Sequence, residues 1–144
     1  MAFQLHVDHT NRIILLSVDG DLTDRVLLEG YAALRSCFEY YGACDCIVDY
    51  SRLTAVSISS QGVRYLADRR PIYPMDCLQF NVAPQNEMYG MARMFQLLSS
   101  DSRPNFRVVH TLEEALEMIG VKSPTFTRIA PAPWQPTLDR EQAA

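Results

Sequence analysis

The sequence predicts an α/β domain with a mixed, mainly parallel sheet of five strands, an N-terminal antiparallel hairpin and about four helices. Two apolar segments separated by a short polar turn begin the chain, and the later apolar segments alternate with amphipathic segments of helical period. Repeated strand–helix–strand units favour parallel strands with right-handed crossovers, whereas the short first connection favours an antiparallel pair. The length of 144 residues and the hydrophobic content of 48% are typical of one globular core.

The first half of the chain is predicted to contain a hairpin, a helix and a buried strand. Residues 3–7 alternate between apolar and polar side chains and residues 13–18 are apolar, which predicts the two strands of the hairpin. Either Asp21 or Thr23 can cap the following helix. Apolar residues repeat on one face of this helix, and a glycine ends it. Residues 46–50 are then predicted to form a short buried strand.

The second half is predicted to contain three helices and two strands. One helix begins at Ser57 and ends before Pro71, and a strand over 78–83 leads to a helix capped by Asn86. A strand over 106–110 precedes the last helix, which begins with a Thr–Glu capping box and ends at a glycine.

The chain is predicted to divide into an α/β domain, residues 1–120, and a Pro-rich C-terminal tail, residues 121–144. Half of the eight prolines fall in the tail, so we expect neither helix nor sheet there. The only tryptophan also lies in it, and an indole buries a large apolar area when it packs. We expect the tail to dock through Phe126, Ile129 and Trp134, either on its own domain or on a second subunit.

The four cysteines could form two disulfides, hold a metal ion or remain reduced. They are Cys37, Cys44, Cys46 and Cys77. Zinc sites combine closely spaced cysteines with further cysteines or histidines, and no histidine lies near these cysteines in the sequence. We therefore expect reduced, mostly buried thiols and no metal site.

Composition and motifs argue against several classes of function. The net charge of -4, without a cluster of basic residues, disfavours a nucleic-acid-binding surface. No apolar run approaches the roughly 20 residues that cross a bilayer, and the first residues lack the features of a signal peptide. The common nucleotide-binding, zinc-protease and hydrolase motifs are absent. We expect a cytoplasmic protein that needs no cofactor, binds no nucleic acid and does not insert into a membrane.

Two segments carry a resemblance to a known family. Residues 47–62, a strand end followed by a serine-rich helix entry, resemble the signature of STAS domains, the anti-sigma-factor-antagonist fold. Residues 89–98 and 106–116 are similar to uncharacterised bacterial proteins grouped as SpoIIAA-like. The resemblance covers about residues 3–120 and implies a STAS-like sheet and a bacterial source.

The resemblance also implies a candidate phospho-acceptor. In the branch that regulates sigma factors, a partner kinase phosphorylates a serine at the start of the second helix, and Ser59 matches it by position. This chain departs from the pattern, with Ser57-Ile58 where an acidic residue would stand and Gln61 before Gly62. The alternative is that the serines of this cluster only satisfy free amides at the helix N-terminus.

The predicted strand end near residue 50 also offers candidate partner or ligand contacts, because α/β proteins tend to bind ligands at this end of the sheet. Tyr89 and Arg93 share one helix face at i and i+4, where they can stack a planar or anionic ligand or merely cover the surface. The candidate contacts are Asp49, Tyr50, Arg52, Ser57, Ser60, Tyr89 and Arg93.

The first functional hypothesis is a noncatalytic STAS-like domain that acts through protein–protein contacts, as a homodimer and in regulation or signalling. The partner is unidentified. The alternative is a small-ligand or lipid-binding domain of related fold, which a closed apolar cavity would support. An enzyme is the third hypothesis, and it would need a pocket holding a base with a strongly shifted pKa.

Overall fold

The computed structural model describes residues 2–129. Four helices and six strands lie in this range. The strands are β1 (Phe3–Asp8), β2 (Ile13–Thr23), β3 (Asp45–Ser57), β4 (Gln79–Val82), β5 (Phe106–Val109) and β6 (Thr127–Arg128). The helices are α1 (Asp24–Tyr41), α2 (Ser60–Ala67), α3 (Asn86–Leu98) and α4 (Leu112–Ile119).

The strands form one mixed sheet in the order β5-β4-β3-β2-β1-β6. The pairs β2–β3, β3–β4 and β4–β5 are parallel, and β1 is antiparallel to both β2 and β6. The predicted fold class, with its N-terminal hairpin and four helices, is confirmed.

The sixth strand corrects the predicted five and lies in the segment for which no sheet was expected. Thr127 and Arg128 pair with β1, and the Ile129 amide donates to the Leu5 carbonyl at 2.9 Å. Ile129 is buried, and Phe126 packs against the core. A strand of two residues has no side-chain period to detect, which is why the pattern missed it. The third expected anchor of the tail, Trp134, lies outside the described residues.

Two strands run further than the sequence predicts. Residues 19–23 of β2 pair with residues 52–57 of β3, beyond the last residues at which β1 and β4 join them. Irregular register at two places accompanies this extension. The result is a two-stranded extension, here called the β2/β3 ribbon, which leads into α1 and towards α2.

The sheet has a different core on each face. On the first face, α1, α2 and α3 cover the alternate residues of β2 and β3 that include Leu16 and Val48. On the second face, α4 and the segment after it cover a smaller apolar cluster around Ile47 and Phe80. The four cysteines are free, and three of them are buried on the first face: Cys37, Cys44 and Cys46.

One predicted helix cap is confirmed, and the predicted starts of two other helices are corrected. Thr23 caps α1, as one of the two predicted residues. The α2 helix begins at Ser60 instead of Ser57, because Ser57 still pairs with Thr23 of β2 and Ser59 is the N-cap. Gln85 instead of Asn86 occupies the cap position of α3, and it makes no side-chain cap bond. Within residues 2–129, no helix has the length and apolar character needed to cross a membrane.

Candidate functional site

Ser59 lies at the N-terminus of α2, where its hydroxyl and amide make three hydrogen bonds. Its hydroxyl accepts from the Gly62 amide at 3.0 Å, which is the usual contact of an N-cap. The same hydroxyl donates to Oδ2 of Asp24 at 2.7 Å, and its amide donates to Oδ1 of Asp24 at 2.9 Å. Ser59 is nevertheless exposed, so its hydroxyl can be reached from solvent.

Asp24 is the first residue of α1 and therefore joins the N-termini of two helices. The hydrogen bonds from the Ser59 amide and hydroxyl stabilise the carboxylate and lower the pKa of Asp24, against a smaller opposing effect of burial. A carboxylate at both helix N-termini also has a favourable interaction with the two helix dipoles. Asp24 is thus held ionised beside the hydroxyl of Ser59.

Gly62 makes this approach possible. A Cβ atom at this position would lie 2.5 Å from Oδ1 of Asp24, well inside van der Waals contact. The glycine that ends the serine-rich helix entry therefore leaves room for the carboxylate. The requirement is steric, because φ at Gly62 is not positive.

A second serine–aspartate pair lies beside the first, where the β2/β3 ribbon ends. The Ser57 hydroxyl donates to Oδ1 of Asp21 at 2.6 Å. Together these residues form a cluster of hydroxyls and carboxylates at the protein surface, which we call the α2 entry. It consists of Asp21, Asp24, Ser57, Ser59 and Gly62.

The residues predicted to cluster near the end of the third strand divide between the two faces of the sheet. Tyr50 is buried on the first face, where burial raises the pKa of its hydroxyl. Asp49 points to the opposite face and accepts a hydrogen bond from the Ser51 amide at 2.9 Å. Arg52 is exposed on the β2/β3 ribbon, and Ser60 is exposed in the first turn of α2.

The predicted pair on α3 has partners within the protein. The ring of Tyr89 stacks on that of His110, with centroids 4.4 Å apart and planes within 3°. Arg93 donates to Gln96, one turn further along the same helix. Both side chains therefore make contacts within their own domain, and their role as partner or ligand contacts stays a prediction.

A cavity of about 90 Å³ lies between the first face of the sheet and the helices α1, α2 and α3. Its walls are mainly apolar, and Tyr50 is one of the few polar residues in them. Sequence patterns gave no indication of this cavity, because it depends on how three helices pack on the sheet. The other polar or charged residues in its walls are Tyr31, Tyr73, Gln79, Asn81 and Arg103.

The four thiols lie in surroundings that disfavour the reactive thiolate. Burial raises the pKa of the Cys37 thiol to about 12 and also raises the pKa values of Cys44, Cys46 and Cys77, which disfavours the thiolate. Within the described range, no group of three or more His, Cys, Asp or Glu side chains could hold a metal ion.

Three solved structures are similar to this chain. The Bacillus cell fate determinant SpoIIAA in its phosphorylated form aligns with a TM-score of 0.52 and 24% identity, over 82% of this chain and 99% of that one. The anti-sigma factor antagonist SpoIIAA in its unphosphorylated form aligns with a TM-score of 0.56 and 24% identity, over 85% and 100%. An uncharacterised DUF3478 protein with a SpoIIAA-like fold, from Shewanella loihica PV-4, aligns with a TM-score of 0.53 and 11% identity, over 82% and 92%.

These similarities establish the fold. No family model and no curated protein matches the sequence. The SpoIIAA-like fold that the sequence resemblance implies is thus confirmed. The chain has a SpoIIAA-like α/β fold.

Proposed function

We propose that the protein is a noncatalytic regulatory domain of the bacterial cytoplasm, which binds a partner protein through the α2 entry and the adjoining β2/β3 ribbon. One observation carries this proposal. The exposed Ser59 hydroxyl lies 2.7 Å from the Asp24 carboxylate, at the junction of two helices. A SpoIIAA structure in the phosphorylated form has the same fold, which supports Ser59 as the phospho-acceptor.

Phosphorylation of Ser59 would change this junction electrostatically. A kinase would transfer the γ-phosphoryl group of ATP to Oγ of Ser59, with loss of the hydroxyl proton and release of ADP. The helix N-terminus favours the added negative charge, whereas the neighbouring carboxylates of Asp24 and Asp21 repel it. The hydrogen bond from the Ser59 hydroxyl to Asp24 would be lost, so a partner would meet a different surface.

The free edge of β3 supports a protein as the partner. The strand pairs with β4 only over residues 46–49, whereas it continues to Ser57 along β2. The Tyr50 carbonyl accepts from the Gln85 side chain and the Ser51 amide donates to that of Asp49, so the free stretch of this edge is residues 52–57. Arg52, Thr54 and Ala55 are exposed on this stretch. An unpaired strand edge offers backbone donors and acceptors to an incoming strand.

The composition of the α2 entry supports a noncatalytic role. Its polar side chains are hydroxyls and carboxylates that already bond to one another, as in Ser57–Asp21 and Ser59–Asp24. No histidine or lysine belongs to the cluster, and the lowered pKa of Asp24 makes its carboxylate a weak general base.

The test compares two helix caps in host lysate. Ser59→Asp places a negative charge at the α2 entry, and Thr111→Asp places the same charge at the exposed N-cap of α4. We expect Ser59→Asp to change the set of captured proteins and Thr111→Asp to leave it as in the wild type. Intact-mass measurement of protein purified from its host should also detect a phosphate that Ser59→Ala abolishes. Identical captures with all variants, and no phosphate, would refute the proposal.

We also propose that the protein forms a homodimer through the C-terminal tail. Residues 121–129 belong to the domain's own sheet and core, so the deletion that tests this begins at residue 130. Sedimentation of the chain ending at Ile129 should show a monomer where the full chain is a dimer. If the full chain and the shortened chain both sediment as dimers, the tail is not part of the interface.

A further inference from the structure

Two adjoining cavities share one wall on the first face of the sheet, the face that α1, α2 and α3 cover. The first is the apolar cavity of about 90 Å³, and the second is an open groove of about 560 Å³ between the C-terminal half of α1 and the segment that follows α2. The residues common to both are Tyr31, Ile72 and Tyr73. A molecule in the groove therefore needs to pass only these side chains to reach the cavity.

Tyr73 carries a polar atom without a protein partner at this wall. The residue is 8% exposed, and its hydroxyl is buried and makes no hydrogen bond within the described part of the chain. A buried hydroxyl without a partner costs free energy, because water no longer satisfies it. Burial raises the pKa of Tyr73, so the hydroxyl keeps its proton and can donate it in a hydrogen bond. The wall thus presents an unused donor.

Arg103 supplies a buried positive charge in the same cavity. It is 3% exposed, and its guanidinium donates to the carbonyls of Leu66, Ala67 and Arg69 at the end of α2, at 3.0 to 3.2 Å. Among residues 2–129 it forms no ion pair with a carboxylate. The carbonyls satisfy its N–H groups but leave its net charge in place. Its charge opposes the rise in the pKa of Tyr73, and both residues lie in the wall of the same cavity.

The open groove carries more basic than acidic side chains. Arg35, Arg69 and Arg70 line it, against the single carboxylate of Glu39. A groove with an excess of one charge attracts ligands of the opposite sign and raises their rate of association. The route to the cavity therefore favours anions.

We propose that the cavity binds a short-chain apolar carboxylic acid. The carboxylate accepts a hydrogen bond from the Tyr73 hydroxyl in the field of Arg103, and the hydrocarbon chain lies against apolar residues such as Leu34, Val63 and Phe95. The acid enters along the arginine-lined groove. This site is separate from the α2 entry, and the inference goes beyond the proposed protein interaction.

The size of the cavity limits the ligand. A buried cavity of ~150 Å³ lined by apolar side chains holds benzene, and one water needs ~10–15 Å³. The 90 Å³ here is smaller than that, so it holds only about the last four carbons of an aliphatic chain whose carboxylate lies at the wall next to the groove. The mainly apolar lining contributes affinity in proportion to the area of chain that it removes from water.

The experiment is calorimetric titration of the purified full-length chain with sodium hexanoate and, separately, with 1-hexanol. We expect hexanoate to bind more tightly than hexanol. Tyr73→Phe should weaken hexanoate binding by about tenfold, the loss of one hydrogen bond to a charged group. The matched control is Tyr40→Phe, since Tyr40 is 68% exposed and lines neither cavity.

Each outcome decides the question. Binding of hexanoate that Tyr73→Phe weakens and Tyr40→Phe does not would support the site. Absence of hexanoate binding, equal affinity for hexanol, or equal weakening by both variants would overturn it. Tyr73→Phe keeps the ring and removes an unpaired hydroxyl, so the variant should fold, and circular dichroism checks that it does. None of these results depends on the partner of the α2 entry.

Discussion

The N-termini of α2 and α4 are capped by similar side chains in different surroundings. Ser59 accepts from the Gly62 amide at 3.0 Å, and Thr111 accepts from the Glu114 amide at 3.1 Å. The carboxylate near Thr111 is that of Glu114, three residues away, at 3.4 Å. The carboxylate at Ser59 is that of Asp24, 35 residues away, at 2.7 Å.

The α4 cap therefore belongs to a single helix, whereas the α2 cap connects two helices. The α4 cap is complete within four residues, so it can form as soon as the helix does. The α2 cap also fixes the position of α1 relative to α2, because one carboxylate interacts with both N-termini. A charge added at Ser59 would therefore affect two helices, whereas a charge added at Thr111 would affect one.

The largest expected effect is that of Ser59→Ala. The variant loses an N-cap, worth about 1 kcal/mol, and a hydrogen bond to a carboxylate, worth about 1 kcal/mol at this exposed site. The free energy of unfolding should fall by about 2 kcal/mol in urea titrations followed by circular dichroism. Ser100→Ala, at an exposed serine outside the helices, is the control and should change stability little.

Thr111→Ala should have about half that effect. It removes the α4 cap without breaking a contact to another helix, so we expect a loss of about 1 kcal/mol in the same titration. If the free energy of unfolding falls equally in Thr111→Ala and Ser59→Ala, the hydrogen bond from the Ser59 hydroxyl to Asp24 adds no stability. The distinction between the two caps would then be wrong.

Gly62→Ala should change stability by less than either cap variant. Alanine in a helix is favoured over glycine by about 1 kcal/mol, but its Cβ would displace the Asp24 carboxylate from Ser59. The two effects nearly cancel in the wild-type background. In a Ser59→Ala background, the hydrogen bond from the Ser59 hydroxyl to Asp24 is already absent, so moving Asp24 costs less stability. Gly62→Ala should therefore be stabilising in that background. Additive effects of the two changes would show that Gly62 does not act through Asp24.

The smallest expected effect is in the pH dependence of stability. The pKa of Asp24 is lowered in the folded protein, so its contribution is present above the unfolded value of ~3.9 and is lost as the pH falls through the folded value. Between about pH 5 and 2, stability should fall more steeply in the wild type than in Ser59→Ala. Thr111→Ala should keep the wild-type slope, and identical slopes in all three proteins would contradict the role of Ser59.

Local sequence determined much of this fold. The alternation of residues 3–7, the Thr23 cap and the Thr111–Glu114 pair each depend on neighbours within one or two turns of chain. The serine-rich segment at 57–60 also predicted a helix entry and a candidate site at Ser59. These features could be predicted because the interactions that create them connect residues close in sequence.

The tertiary structure alone decided which groups meet. The sequence predicted neither the length of β3, which extends to Ser57 because β2 continues beside it, nor the strand at 127–128. It also gave no sign that Asp24 reaches Ser59, or that Tyr73 and Arg103 lie together in the wall of a cavity. Such contacts join segments some 30 residues apart. They form only after hydrophobic burial has packed the helices on the sheet, and that packing, not local pattern, sets their distances.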